Sequence, residues 1–137
     1  MSLTQHALGA AHADLMGVAF DSWNAEREEI TLRFQAPASF ITPRGSVQGG
    51  LVAGFLDEVM GWAHVWATDQ REAPLNLEIS MTLLRPVLAG PLIGKGRVVR
   101  RGSRVIFLEG ELFDEAGALL ARATSTAIPT PRPTGEK

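Results

Sequence analysis

Asp57 is the residue of this sequence with the clearest claim on chemistry. It stands in Leu51-Val52-Ala53-Gly54-Phe55-Leu56-Asp57-Glu58-Val59-Met60-Gly61-Trp62-Ala63, a stretch that is apolar or small on nearly every side of a helix. Such a helix is expected to be buried nearly all round. A carboxylate within it is costly unless it is paired or used. Gly50, Ala53, Gly54, Gly61 and His64 lie three, four or seven places from Asp57 and share its face. Most are small enough to let another molecule approach. Asp57 could then activate water as a general base, or attack directly as a nucleophile. The plainer alternative is a carboxylate that reaches solvent or pairs with an arginine. Glu58 points about 100° away around the helix and reads as structural, with an arginine as the expected partner.

Gly49 and Gly50 open the same helix, where backbone N–H groups lack intrahelical acceptors. Such donors can polarise a carbonyl and hold the oxyanion of a tetrahedral intermediate. Two glycines also simply let a loop turn into a helix. Arg100, Arg101 and Arg104 flank Gly102-Ser103, a basic turn that suits either a phosphate or plain solvation. His6, His12 and His64 have no Ser or Asp at triad spacing, and three scattered histidines make no metal motif. Phe55, Met60 and Trp62 are assigned to the core.

The elements that must position these residues follow from periodicity. Residues 3–13 permit a short helix and 15–23 a strand. After the polar turn 26–28, Ile30, Leu32 and Phe34 alternate with polar residues, the pattern of a half-buried strand that closes a hairpin. A loop with two prolines and a glycine fills 36–47. The helix of residues 48–67 would be about 30 Å long. Strands are expected at 76–84, 92–101, 104–113 and 119–128, with a frayed proline-bearing tail from 129. This order, with a long helix covering one face of a strand meander, defines an α+β fold.

The 137 residues fit one domain with a single core, 13–128. There is no cysteine, which removes disulfides, thiolate zinc sites and cysteine nucleophiles. A net charge of -2 argues against nucleic acid as a partner. No apolar run reaches membrane-spanning length and no signal segment is visible, so a cytoplasmic protein that binds no membrane is expected.

Gly45-Ser46-Val47-Gln48-Gly49-Gly50, six further residues and Asp57 together resemble the G-x-V-H-G-G…D signature of hotdog-fold acyl-CoA thioesterases, most of all the phenylacetate-type (PaaI-like) branch. The resemblance extends over residues 13–128, through the proline-limited strand ending before Pro86, the basic turn near 102 and the acidic-Gly turn Asp114-Glu115-Ala116-Gly117. It implies a six-stranded antiparallel sheet wrapped around one long central helix, behind a short N-terminal helix. It implies dimers that join two sheets edge to edge, often paired into tetramers, an active site between subunits, and hydrolysis of acyl-CoA without metal or separate cofactor.

The resemblance also assigns roles. Asp57 becomes the catalytic carboxylate, as general base or nucleophile, with Gly49 as the oxyanion donor and Gly50 among the residues that bind coenzyme A. Asn76 takes a strand position where relatives hold the water or the aspartate. Arg100, Arg101, Ser103 and Arg104 become the site for the coenzyme A phosphates. Gln48 stands where the family carries histidine, and Thr42 where it often carries asparagine, both positions that orient the thioester or the water. Gly49 and Asp57 are eight residues, about 12 Å, apart on one helix, whereas reacting groups must come within about 3–3.5 Å. If both act, Gly49 of one copy faces Asp57 of another, and a two-fold dimer supplies that pairing twice. The departures at Gln48 and Thr42 leave a non-catalytic acyl-CoA binder as the alternative.

Overall fold

A computed structural model describes residues 10–132. In chain order the elements are α1 (Ala11–Met16), β1 (Ala19–Asn24), β2 (Glu29–Ala36), α2 (Gly49–Ala67), β3 (Glu72–Leu83), β4 (Gly90–Arg101), β5 (Ile106–Asp114) and β6 (Leu119–Pro131). The strands form one antiparallel sheet in the order β1-β2-β4-β5-β6-β3. Its inner face carries the alternating apolar residues Ile30, Leu32, Phe34, Ile106, Leu108 and Leu112, each at most 2% exposed. Phe55, Leu56, Val59, Met60 and Ala63 of α2 pack onto them. None of the described helices is long and apolar enough to cross a membrane.

Glycine sets how closely α2 approaches the sheet. A Cβ on Gly96 of β4 would lie 2.2 Å from the Val59 carbonyl oxygen, so helix backbone rests directly on strand backbone. Gly110 of β5 makes the corresponding room for Met60, whose Cγ would lie 2.9 Å from an added Cβ.

Several sequence expectations need correction. Residues 3–9 lie outside the described region, and the N-terminal helix is Ala11–Met16, overlapping the strand expected from 15. Ala13 and Met16, one turn apart, are its buried residues. Gly17 ends it at φ 63°, and a Cβ there would lie 2.7 Å from Gln35 Cβ. The last four strands are not a simple meander. Only β4, β5 and β6 follow one another across the sheet, while β3 pairs with β6 at the far edge. The chain returns from there to β4 beside β2, through a connection in which Val87 is buried and accepts the Val47 N–H at 2.8 Å.

The expected frayed tail instead continues β6 to Pro131, paired with β3 as far as Glu72. Beyond Ala127, the partner of Ile106 at the start of β5, β6 has only β3 beside it. Proline is tolerated where one side of a strand is free. Finally, α2 is not covered all round. Gly50 and Asp57 are exposed, and Ala53, Gly54 and Gly61 are half-buried. One face of the helix stays open, next to the edge strand β3. With its sheet curled about a single long helix, this is the hotdog arrangement.

Candidate active site

Asp57 lies on the open face of α2, where β3 reaches it directly and β6 only through β3. Asn76 of β3 donates from Nδ2 to Asp57 Oδ1 at 2.6 Å. Ser125 of β6 donates from Oγ to Asn76 Oδ1 at 2.8 Å. Asn76 reaches the inner side because β3 is irregular. Asn76 pairs with Ala127 and Glu78 with Thr126, so Leu77 is a bulged residue between them. Without the bulge, Asn76 and Glu78 would share a face. With it, Asn76 joins the inner face while Glu78 bonds Thr126 Oγ1 at 2.8 Å on the outer one.

The start of α2 supplies the second element. Gln48 is the N-cap, and its Oε1 accepts the Leu51 N–H at 2.9 Å. The side chain folds over Gly50, where a Cβ would lie 2.9 Å from that oxygen. Gly50 thus makes room for the cap, and the free donor of Gln48 is its Nε2. The Gly49 and Gly50 N–H groups have no acceptor among the described residues. They stand at the positive end of a 19-residue helix, where developing negative charge is favoured. Thr42 belongs to the loop that leads in. Its Oγ1 donates to Ser46 O at 3.2 Å and accepts the Arg44 N–H at 3.3 Å, closing a turn that includes Gly45 at φ 91°.

The basic turn lies elsewhere. Asn76, Ala127, Ile106 and Arg101 are successive register partners across β3, β6, β5 and β4. Three strand spacings separate Asn76 from Arg101, about 14 Å. Arg101 is committed to Glu28 Oε1 at 2.5 Å, whereas Arg100, Ser103 and Arg104 are exposed. Asp57, Asn76 and the helix start are therefore brought to one open face, with the turn at a distance along the sheet. A groove of about 430 Å³ on the outer sheet face, lined by Arg27, Glu29, Lys95, Arg97 and Arg122 among others, is separated from Asp57 by the sheet itself.

Two neighbours of Asp57 differ from expectation. Glu58 has no arginine partner. Its Oε2 accepts the Trp62 Nε1–H at 2.8 Å and its Oε1 the His12 Nε2–H at 3.2 Å. His64 does not share the open face but is fully buried, with its Nε2–H on Glu72 Oε1 at 3.0 Å. Burial lowers its pKa below the ordinary 6.5, against the opposing pull of the Glu72 hydrogen bond and charge. Its Nδ1 is buried without a donor among the described residues, which fits a neutral ring protonated on Nε2.

Ser125 is the site residue that periodicity leaves unmarked. It is 2% exposed among Ala121, Ala123 and Ala127 on the inner phase of β6. A hydroxyl on an otherwise alanine phase is the signal that could have found it.

Chemically, the face presents an acceptor-only carboxylate, an amide that fixes one of its oxygens, and unpaired N–H donors at a helix start. Residues 44–121 match the model of the Thioesterase superfamily. A phenylacetic acid degradation-related protein of Ralstonia eutropha JMP134, with a provisional thioesterase assignment, is 31% identical. The match covers 86% of this chain and 89% of that one, with a TM-score of 0.80. A Saccharolobus solfataricus protein with a provisional esterase assignment is 29% identical over 100 residues, 73% of this chain and 71% of the relative. A Streptococcus mutans UA159 protein solved bound to acetyl-CoA shares the fold at a TM-score of 0.73 and 17% identity, over 84% of this chain and 90% of that one. The carboxylate and the helix-start donors thus sit in a fold and a sequence segment that identify the chain as a member of the thioesterase superfamily.

Proposed function

We propose that the protein hydrolyses acyl-CoA thioesters, with Asp57 as the general base. Water held at the free oxygen of Asp57 attacks the thioester carbonyl, the new C–O bond forms, and the proton passes to Asp57. The carbonyl oxygen becomes an oxyanion, stabilised by the Gly49 N–H. The C–S bond then breaks, and the proton leaves with the coenzyme A thiol. The observation that carries this reading is the Asp57–Asn76 bond on the open face of α2. It spends one carboxylate oxygen on positioning and leaves the other for water.

Gly49 and Asp57 of one chain are too far apart to share a carbonyl, so the site takes Gly49 from a second copy. The β3 edge supports that assembly. Its outer side has no strand neighbour in the sheet, and Leu75 and Leu77 are 56% and 61% exposed. An apolar, unpaired edge strand is a pairing surface, and pairing there would carry a second helix past the open face. Arg100, Ser103 and Arg104 are assigned to the phosphates of coenzyme A, and the Streptococcus mutans relative supports such a ligand. Gln48 Nε2 is the remaining donor near the carbonyl.

A second reading, acyl-CoA binding without turnover, is favoured by one observation: the Thr42 hydroxyl and the Gln48 carbonyl oxygen are both engaged within their own loop and cap. Thiol release from aryl-, short- and long-chain acyl-CoAs separates the two. On the best substrate Asp57→Asn is expected to lose at least about a hundredfold in kcat, with Glu58→Gln close to wild type. Saturable binding with no thiol release, or a dead Glu58→Gln beside an active Asp57→Asn, refutes the assignment.

A further inference from the structure

We propose that Ser125 is a positioning residue that aims Asp57 through Asn76. Its catalytic consequence rests on the thioesterase reading above; its geometry does not. A carboxylate only accepts hydrogen bonds, so the Asn76 end facing Asp57 must be the Nδ2 donor. The Asn76 carbonyl oxygen then faces β6, where the Ser125 hydroxyl donates to it. Ser125 is 2% exposed, and a hydroxyl so buried is costly without an acceptor. Asn76 is the acceptor it has.

The need for this anchor comes from the bulge. The β3–β6 ladder is interrupted between Asn76 and Glu78, at the residue that must be placed most accurately. The register partner of Ser125 is Ile79, not Asn76. The Ser125–Asn76 bond is therefore a diagonal brace over the irregularity, tying the edge strand to the interior one. Donation into the amide oxygen also polarises the amide and strengthens its N–H donation to Asp57. The second Nδ2 hydrogen has no acceptor among the described residues and remains available to the attacking water.

Two measurements test this in the intact protein. The first is a double-mutant cycle in kcat. Ser125→Ala is expected to lose about tenfold, the scale of one positioned hydrogen bond. Ser125→Ala combined with Asn76→Ala should be no worse than Asn76→Ala alone. Losses that multiply, or an unchanged kcat in Ser125→Ala, overturn the relay.

The second is the side-chain amide NMR spectrum of Asn76, which needs no turnover. The Nδ2–H held by Asp57 is expected to exchange slowly with solvent in the unsubstituted protein while its geminal partner exchanges fast, and to lose that protection in Ser125→Ala. Both hydrogens in fast exchange in the unsubstituted protein, or a protection indifferent to Ser125→Ala, overturns the proposal. If no acyl-CoA is turned over, the thioesterase reading fails and this spectrum alone decides the relay.

Discussion

Gly96→Ala is expected to be the most damaging one-carbon change in the sheet. The added Cβ would lie 2.2 Å from Val59 O, 2.6 Å from Val59 C and 3.0 Å from Met60 N. All three are helix backbone, so no side-chain rotation relieves the clash. Restoring an ordinary 3.4 Å contact requires α2 to retreat by about 1.2 Å. Overpacking typically costs about 1–3 kcal/mol, and a backbone-on-backbone clash belongs at the top of that range, near 3 kcal/mol. For a chain of this size that is about 10 °C in Tm. The assay is urea unfolding, read as a lower midpoint at unchanged slope.

The matched control is Gly110→Ala, whose nearest neighbour is the flexible Met60 side chain at 2.9 Å; about 1 kcal/mol or less is expected there. The same retreat carries Asp57 away from Asn76, whose bond is only 2.6 Å long. A misplacement of about 1 Å can cost about a hundredfold in rate. Gly96→Ala should therefore lose activity even at temperatures where it is folded, while Gly110→Ala stays within a few-fold. Equal destabilisation by the two substitutions, or a Gly96→Ala protein as stable as wild type, would refute the close-approach argument.

Leu75→Arg with Leu77→Arg should abolish the proposed pairing at the β3 edge. The expected result is a folded monomer by light scattering with activity reduced at least about a hundredfold; an active monomer contradicts the shared site. His64 gives a pH effect of definite sign. Its pKa is lowered in the folded protein, so below the ordinary 6.5 the unfolded chain takes a proton that the folded one refuses. Stability should therefore fall as pH drops from 6.5 toward the folded pKa. His64→Gln should flatten that slope in urea titrations at pH 5–7, and an unchanged slope would mean that another group is responsible.

Much of the frame was legible because its signals are repeated. The alternation Ile30, Leu32, Phe34 marks β2, and the glycine pair followed by thirteen mostly apolar residues marks α2. Single residues defeated the rest. Gly17 stops α1 and delays β1, yet one glycine has many uses. Simple alternation put Asn76 on the same phase as Glu78, and one extra residue, Leu77, reverses that phase. Period two has no memory across a bulge. The position of β3 beyond β6 is a long-range choice that local patterning does not encode. Pro129 and Pro131 suggested a frayed end, but a strand with one free side tolerates them. Asp57 and Gly49 stood out as exceptions to their surroundings. Ser125 did not, because a serine among alanines is a small exception in volume and a decisive one in hydrogen bonding.

The bond from Asn76 to Ser125 spans 49 residues, whereas that from Asp57 to Asn76 spans 19. The order of synthesis therefore matters. A nascent chain that has emerged through β5 already carries the aspartate, the asparagine and the helix start. It still lacks the strand that holds β3 to the sheet. Pairing over such separations is slow, because loop closure must precede the contacts that reward it. Until β6 inserts between β5 and β3, the leucines of the edge have no sheet behind them, and a copy docking there would meet an unfinished surface. Of the described strands β6 is made last, and it is the one that braces Asn76, so the proposed site and the proposed pairing of copies both wait on it.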